Sequence, residues 1–132
     1  MNNRIIDTQF FMENMEIERI VNNDVKAGDI NYELNLQYYI HDINENTVAL
    51  KVKCDSGFKP SLMFIAKFRY NVIVEFENDI TDDEVYKNIN DILDSIGSEI
   101  SCLISILTRS MGGSPLIVPP VVNKISRLDD CN

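Results

Sequence analysis

The sequence predicts an α+β fold: a four-stranded antiparallel sheet followed by a kinked amphipathic helix packed on one face. Three observations predict it. Ile30, Tyr32, Leu34, Leu36, Tyr38 and Ile40 alternate strictly with mostly polar residues, the period of a strand with one dry and one wet face. From Val85 to Met111 the apolar residues switch to helical spacing. All strand-like stretches precede the helical one, which segregates helix from sheet rather than alternating them. The 132 residues make a single domain, large enough to bury roughly two-thirds of its unfolded surface.

Taken in order, residues 1–9 are polar and expected to be flexible. Phe10, Phe11 and Met12 open an apolar patch. Met15, Ile17 and Val21 alternate with Glu16 and Glu18, a first strand ended by the turn-formers Asn22, Asn23, Asp24 and Gly28. The second strand is Ile30–Ile40, and His41–Asn46 has the composition of a hairpin loop. Thr47–Cys54 is the third, with Val48, Leu50, Val52 and Cys54 facing in and Lys51 and Lys53 facing out. Asp55, Ser56 and Gly57 form the next turn.

Leu62–Phe76 alternates on even positions and would span about 50 Å, so a bend or bulge is expected near Arg69–Asn71. Met63, Ile65 and Ile73 make its other face partly apolar, which points to a partner subunit or a ligand groove. Thr81 and Glu84 have capping-box spacing, with Asp82 and Asp83 in the first turn. A helix from Asp82 to Met111 would be about 45 Å long, with a kink expected at Gly97–Ser98. Arg109 suits the helix C-terminus, and Gly112–Gly113 can close it. Pro115, Pro119 and Pro120 force Ser114–Val122 into an extended course over apolar surface. Asn123–Asn132 is expected to be a frayed, flexible tail.

The formal charge is −9, from 21 acids against 12 bases, which leaves no general footprint for nucleic acid and suits a basic partner. Cys54, Cys102 and Cys131 match no disulfide or zinc spacing. They are expected to be two core thiols and one tail thiol in a reducing compartment. With no leader-like apolar segment and no apolar run of about 18 residues, a soluble cytoplasmic protein without membrane insertion is expected. His41 stands alone in its loop. Asp79, Asp82, Asp83 and Glu84 fit no cation loop, and Ser110 and Ser114 lack an elbow motif. No enzyme, catalytic residue, cofactor or metal is therefore expected.

Three binding surfaces are candidates. Tyr38, Tyr39, Phe58, Leu62, Met63, Phe64, Ile65 and Ile117 are either ordinary core or an adaptable apolar groove for extended polypeptide. Ile96, Cys102, Ser105, Ile106 and Arg109 form a candidate oligomer interface on the helix. Glu16, Glu18, Glu33 and Glu75 are solubilising charges or an acidic docking face for a basic partner.

The order of elements, together with ISCLISILTRSMGGSPLIVPPV (Ile100–Val121), resembles the SecB protein-export chaperones and their relatives. Pro115, Leu116, Val118, Pro120 and Val121 fit that family's closing pattern, and Glu99 falls where the family has the acid of an Arg–Glu pair. The sequence departs from the pattern at Ile96–Gly97–Ser98, where the family's Pro and Arg are missing, and at Val122, where Asn is common. The family's longer C-terminal helix is also expected to be missing, since ten residues follow Val122. The resemblance implies a divergent SecB-like chaperone: a homotetramer built as a dimer of dimers, binding non-native polypeptides without ATP in export or targeting, with a translocase motor or a toxin–antitoxin component as partner. The alternative is a non-chaperone oligomeric adaptor that binds one specific protein, as in a toxin–antitoxin or mobile-element system.

Overall fold

The apolar alternation is realised in long strands. The computed structural model describes residues 3–20, 31–59, 63–112 and 118–128. The elements are β1 (Ile5–Ile20), β2 (Asn31–Asn44), β3 (Thr47–Lys59), β4 (Met63–Phe76), α1 (Asp82–Lys87), α2 (Ile89–Leu93), α3 (Ile96–Gly112) and β5 (Lys124–Arg127). The sheet order is β1-β4-β3-β2-β5. Neighbours among β1 to β4 are antiparallel, and β5 lies parallel to β2. The α+β class is as expected, but the sheet is five-stranded and mixed rather than four-stranded and antiparallel.

The fifth strand comes from the segment expected to fray. Its four residues, Lys-Ile-Ser-Arg, carry no usable alternation, so backbone pairing rather than pattern places them. The Asn123 N–H donates to the Leu34 carbonyl at 2.8 Å, and the Leu34 N–H returns a bond to Asn123 Oδ1 at 2.8 Å. At the other end the Leu128 N–H donates to the Tyr38 carbonyl at 2.8 Å. Ile125 packs against the core, and the Arg127 guanidinium lies 3.9 Å from the centre of the Tyr86 ring. Together these cover the edge of β2, whose backbone groups would otherwise go unpaired.

Residues 5–9 are likewise part of a strand. β1 hides its length because its inward set changes parity. Met12 pairs with Tyr70 and Asn14 with Arg69, so Glu13 is an extra residue in a bulge. Phe10 and Met12 share the face of Tyr70, and beyond the bulge Met15 and Ile17 take over. The irregularity expected in β4 near Arg69–Asn71 lies at that level, but in the neighbouring strand: the β3–β4 register runs unbroken from Thr47–Glu75 to Gly57–Ile65. β2 repeats the device. Ile40 pairs with Leu50 and Asp42 with Ala49, which makes His41 the extra residue. The strand therefore continues to Asn44, and the hairpin turn is only Glu45–Asn46, with Glu45 at φ 56°. Asp55, Ser56 and Gly57 pair on both sides and do not turn.

The core lies between one sheet face and the helices. Leu34, Leu36, Val48, Leu50 and the even residues of β4 from Phe64 to Phe76 are buried against Val85, Ile92, Leu93, Ile96, Ile100 and Ile104. The capping box forms as expected: the Glu84 N–H donates to Thr81 Oγ1 and the Thr81 N–H to Glu84 Oε1, both at 3.3 Å. The helical region breaks at Asn88 and again after Leu93, not at Gly97–Ser98. Asn88 leaves helical geometry (φ −114°, ψ 18°) and its side chain donates to the Glu84 carbonyl at 2.8 Å.

Gly97 sits inside α3 for a packing reason. A Cβ there would lie 2.7 Å from the carbonyl oxygen of Pro120, closer than atoms can pack. The returning chain is held against the same helix by Ser101, whose hydroxyl donates to the Val118 carbonyl at 2.7 Å, and Val118 itself is buried. Gly97→Ala would favour an isolated helix by about 1 kcal/mol. In this protein it is expected to destabilise by about 1–3 kcal/mol, because the obstacle is backbone. Chemical denaturation of the two proteins measures the difference, and a stabilised variant would contradict the contact.

Candidate functional site

The residues proposed as one groove divide between the two faces of the sheet. Tyr38 and Phe64 are buried core residues under the helices, with Phe58 partly buried on the same side. Phe58 meets Phe64 and Tyr32 edge-on, each at 5.7 Å between ring centroids. Tyr32 closes this cluster through its hydroxyl, 2.8 Å from Ser56 Oγ. Tyr39 and Ile65 are half-buried on the outer face, so the pleat keeps them apart from the other three. Leu62, Ile117 and the side chain of Met63 lie outside the described residues.

The helix candidates also divide. Ile96 is fully buried in the core. Cys102, Ile106 and Arg109 are exposed and Ser105 is half-buried; their spacing puts them on one outward side of α3. Cys54 is the expected core thiol, and burial pushes its pKa up strongly, with Asp55 and Glu99 adding to the shift. Cys102 differs from expectation, being exposed. Cys131 lies outside the described residues.

An apolar surface missing from the sequence-based candidates appears on β1, an edge strand whose only partner among the described residues is β4. Phe11 is 51% exposed, Met12 39% and Met15 41%. Met12 and Met15 stand on the helix side of the sheet, beside half-buried Phe10 and Ile17, and Phe11 stands on the outer side. The Phe10-Phe11-Met12 run was the available signal. It was uninterpretable without the bulge at Glu13, which aligns Met12 and Met15 on one face.

The acidic candidates do lie on the outer face, where register puts Glu16 opposite Lys67, Glu18 opposite Ile65, Glu33 opposite Gly57 and Glu75 opposite Thr47. They do not form a continuous acidic surface. Lys51 and Lys53 on β3 and Lys67 and Arg69 on β4 occupy the ground between them. The one ion pair among the described residues joins Lys51 to Glu13, which holds the Glu13 carboxyl below its usual range. Among the described residues no group of three or more His, Cys, Asp or Glu side chains is placed to hold a metal, and no helix is long and apolar enough to cross a membrane.

Glu99 is the most unusual acid. Its Oε2 is buried without a hydrogen-bond partner among the described residues, as is the hydroxyl of Tyr70. Desolvation raises the Glu99 pKa, and burial followed by the charge of Glu99 raises that of Tyr70. A carboxyl with a raised folded-state pKa favours folding when protonated. Its contribution is complete below the ordinary carboxylate range and is lost as pH rises through the folded value. Glu99→Gln is therefore expected to raise the denaturation midpoint at pH 7, with the gain shrinking towards pH 4. A gain independent of pH, or a loss at pH 7, would contradict an unpaired carboxylate.

No protein-family model matches the chain, and no curated protein sequence matches it. Several solved structures share its shape, two of them as follows. The Mycobacterium tuberculosis SecB-like chaperone Rv1957, solved in complex with a ChAD peptide from the HigA1 antitoxin, superposes with a TM-score of 0.63 at 13% identity, over 90% of this chain and 87% of that one. A Streptococcus agalactiae protein of unknown function superposes with a TM-score of 0.54 at 9% identity, over 90% of this chain and 99% of the other. The chain has a divergent SecB-like fold.

Proposed function

We propose that this protein is a chaperone-like binder of extended or non-native polypeptide that works without a nucleotide, in the cytoplasm, as a homo-oligomer. The observation that carries the proposal is β1. It is a 16-residue edge strand that combines a backbone edge unpaired among the described residues with exposed Phe11, Met12 and Met15. An extended chain can add to such an edge through main-chain bonds, which are indifferent to sequence. Methionines adapt to many side-chain shapes, which suits varied clients. Capture of this kind shields apolar segments from aggregation rather than refolding them. The fold likeness supports the same reading, since the Mycobacterium tuberculosis neighbour was solved with a peptide bound. The outward side of α3, with Ile106 58% exposed, is the surface offered for assembly between copies; Ile96 has no part in it.

The second reading, an adaptor for one specific partner, draws support from the uneven charge of the outer face. Unfolded polypeptide would not compete for an adaptor's partner.

The test is light scattering of a denatured client diluted with and without the protein. Suppression is expected at stoichiometric amounts. Met12→Glu/Met15→Glu should lose most of it while keeping the circular dichroism of the parent, because both side chains already meet solvent. No suppression by the parent protein, or full suppression by the variant, would contradict the proposal. Sedimentation of the variant at the parent's mass shows that client capture, not assembly, was lost.

A further inference from the structure

We propose that the centre of the outer sheet face docks a short acidic segment of a partner polypeptide. This surface is separate from the exposed methionines of β1, and the inference does not depend on client capture there. It also reverses the expectation from net charge, which pointed to a basic partner.

The inference starts from a cost. Register places Lys53 directly opposite Arg69 on the same face, with Lys51 and Lys67 at the adjoining outward positions of the two strands. Like charges directly opposite each other work against strand pairing. Glu13 forms an ion pair with Lys51, and its charge also acts on Arg69 from farther off. Lys53, Lys67 and Arg69 have no carboxylate within ion-pair distance among the described residues, although the chain carries 21 acids against 12 bases. Among the described residues these three clustered cations hold no close ion pair, and an external anion can reach them.

The shape agrees. Two shallow depressions of about 270 and 290 Å³ flank the Lys53–Arg69 pair, and both residues line both of them. The second depression adds Tyr39 and Leu128, so an apolar contact lies beside the cations. Acids are interspersed with the cations: Glu16 lines the first depression and Glu13 the second, and Glu16 and Asp55 each pair across a strand with Lys67. A nucleic acid duplex, with a charge every ~1.7 Å of its axis, would lay phosphates over those acids and meet the repulsion of a chain charged −9. A short extended peptide carrying a few carboxylates next to an apolar side chain can set them on Lys53 and Arg69, the pair shared by both depressions, between these acids. Such contacts set partner choice and association rate more than bulk affinity.

Fluorescence anisotropy with a labelled peptide of alternating Glu and Leu, its Gln counterpart, and a single-stranded DNA competitor tests this. The Glu peptide is expected to bind at low salt and release as ionic strength rises, with the Gln peptide about tenfold weaker or worse. Lys53→Gln/Arg69→Gln should weaken Glu-peptide binding by about tenfold, whereas Lys87→Gln, at an exposed position of α1 on the helix side, should leave it unchanged. The double variant should unfold at the same or a higher temperature, because the like-charge pair is gone, and this separates lost docking from lost folding. The proposal is overturned if the Glu peptide does not bind, if the Gln peptide binds as well, if the double variant binds normally, or if DNA displaces the peptide as readily as unlabelled peptide does.

Discussion

The pleat of β4 is the constraint on which the rest depends. Every even residue from Phe64 to Phe76 is at most 1% exposed, and every odd one between them points to the other side. A slip of one residue would carry Lys67 and Arg69 into the core and expel Phe68 and Tyr70. The same register therefore builds the apolar floor under the helices and the cationic centre of the outer face. The neighbours conform to β4, since β3 pairs with it without interruption and β1 inserts Glu13 to stay in step. Gly97 and Ser101 do the corresponding work in the helical layer, holding the returning segment before β5 against α3.

How much of this was legible follows from period. β2, β3 and β4 alternate on one parity over most of their length, and the sequence locates them well. β1 changes parity at Glu13 and β2 at His41, so alternation ends where the strands do not. β5 has a single apolar residue, Ile125, and is fixed by backbone bonds that no side-chain pattern encodes. Gly97 had the composition of a helix break and is instead a point of close contact, a difference visible only once Pro120 is placed beside it. The capping box at Thr81 was legible because its partners are three residues apart in the chain.

The sites were less legible than the fold. Membership of a surface depends on which strands are neighbours. Lys51 with Lys53 and Lys67 with Arg69 look like two unrelated pairs in the chain, and only the β3–β4 pairing makes them one cluster. The groove residues failed in the converse way: Tyr38 and Tyr39 are adjacent in sequence and so must face opposite sides of the sheet. Net charge does not locate a charged surface, because it averages over surfaces that the fold keeps apart.

Two faces of one sheet thus carry different chemistry. The helix side continues onto β1 as exposed apolar strand, suited to chains that lack a fixed structure. The outer side carries localised charge, suited to one partner with the right few carboxylates. The proposed function, gathering varied clients and docking one partner, would draw on both. Hydrogen exchange of the protein with and without an unfolded client tests the first of these most directly. Slowed exchange is expected along β1, residues 5–20, with β3 and the hairpin turn at Glu45–Asn46 unchanged. Unaltered exchange in β1 with protection elsewhere would contradict it.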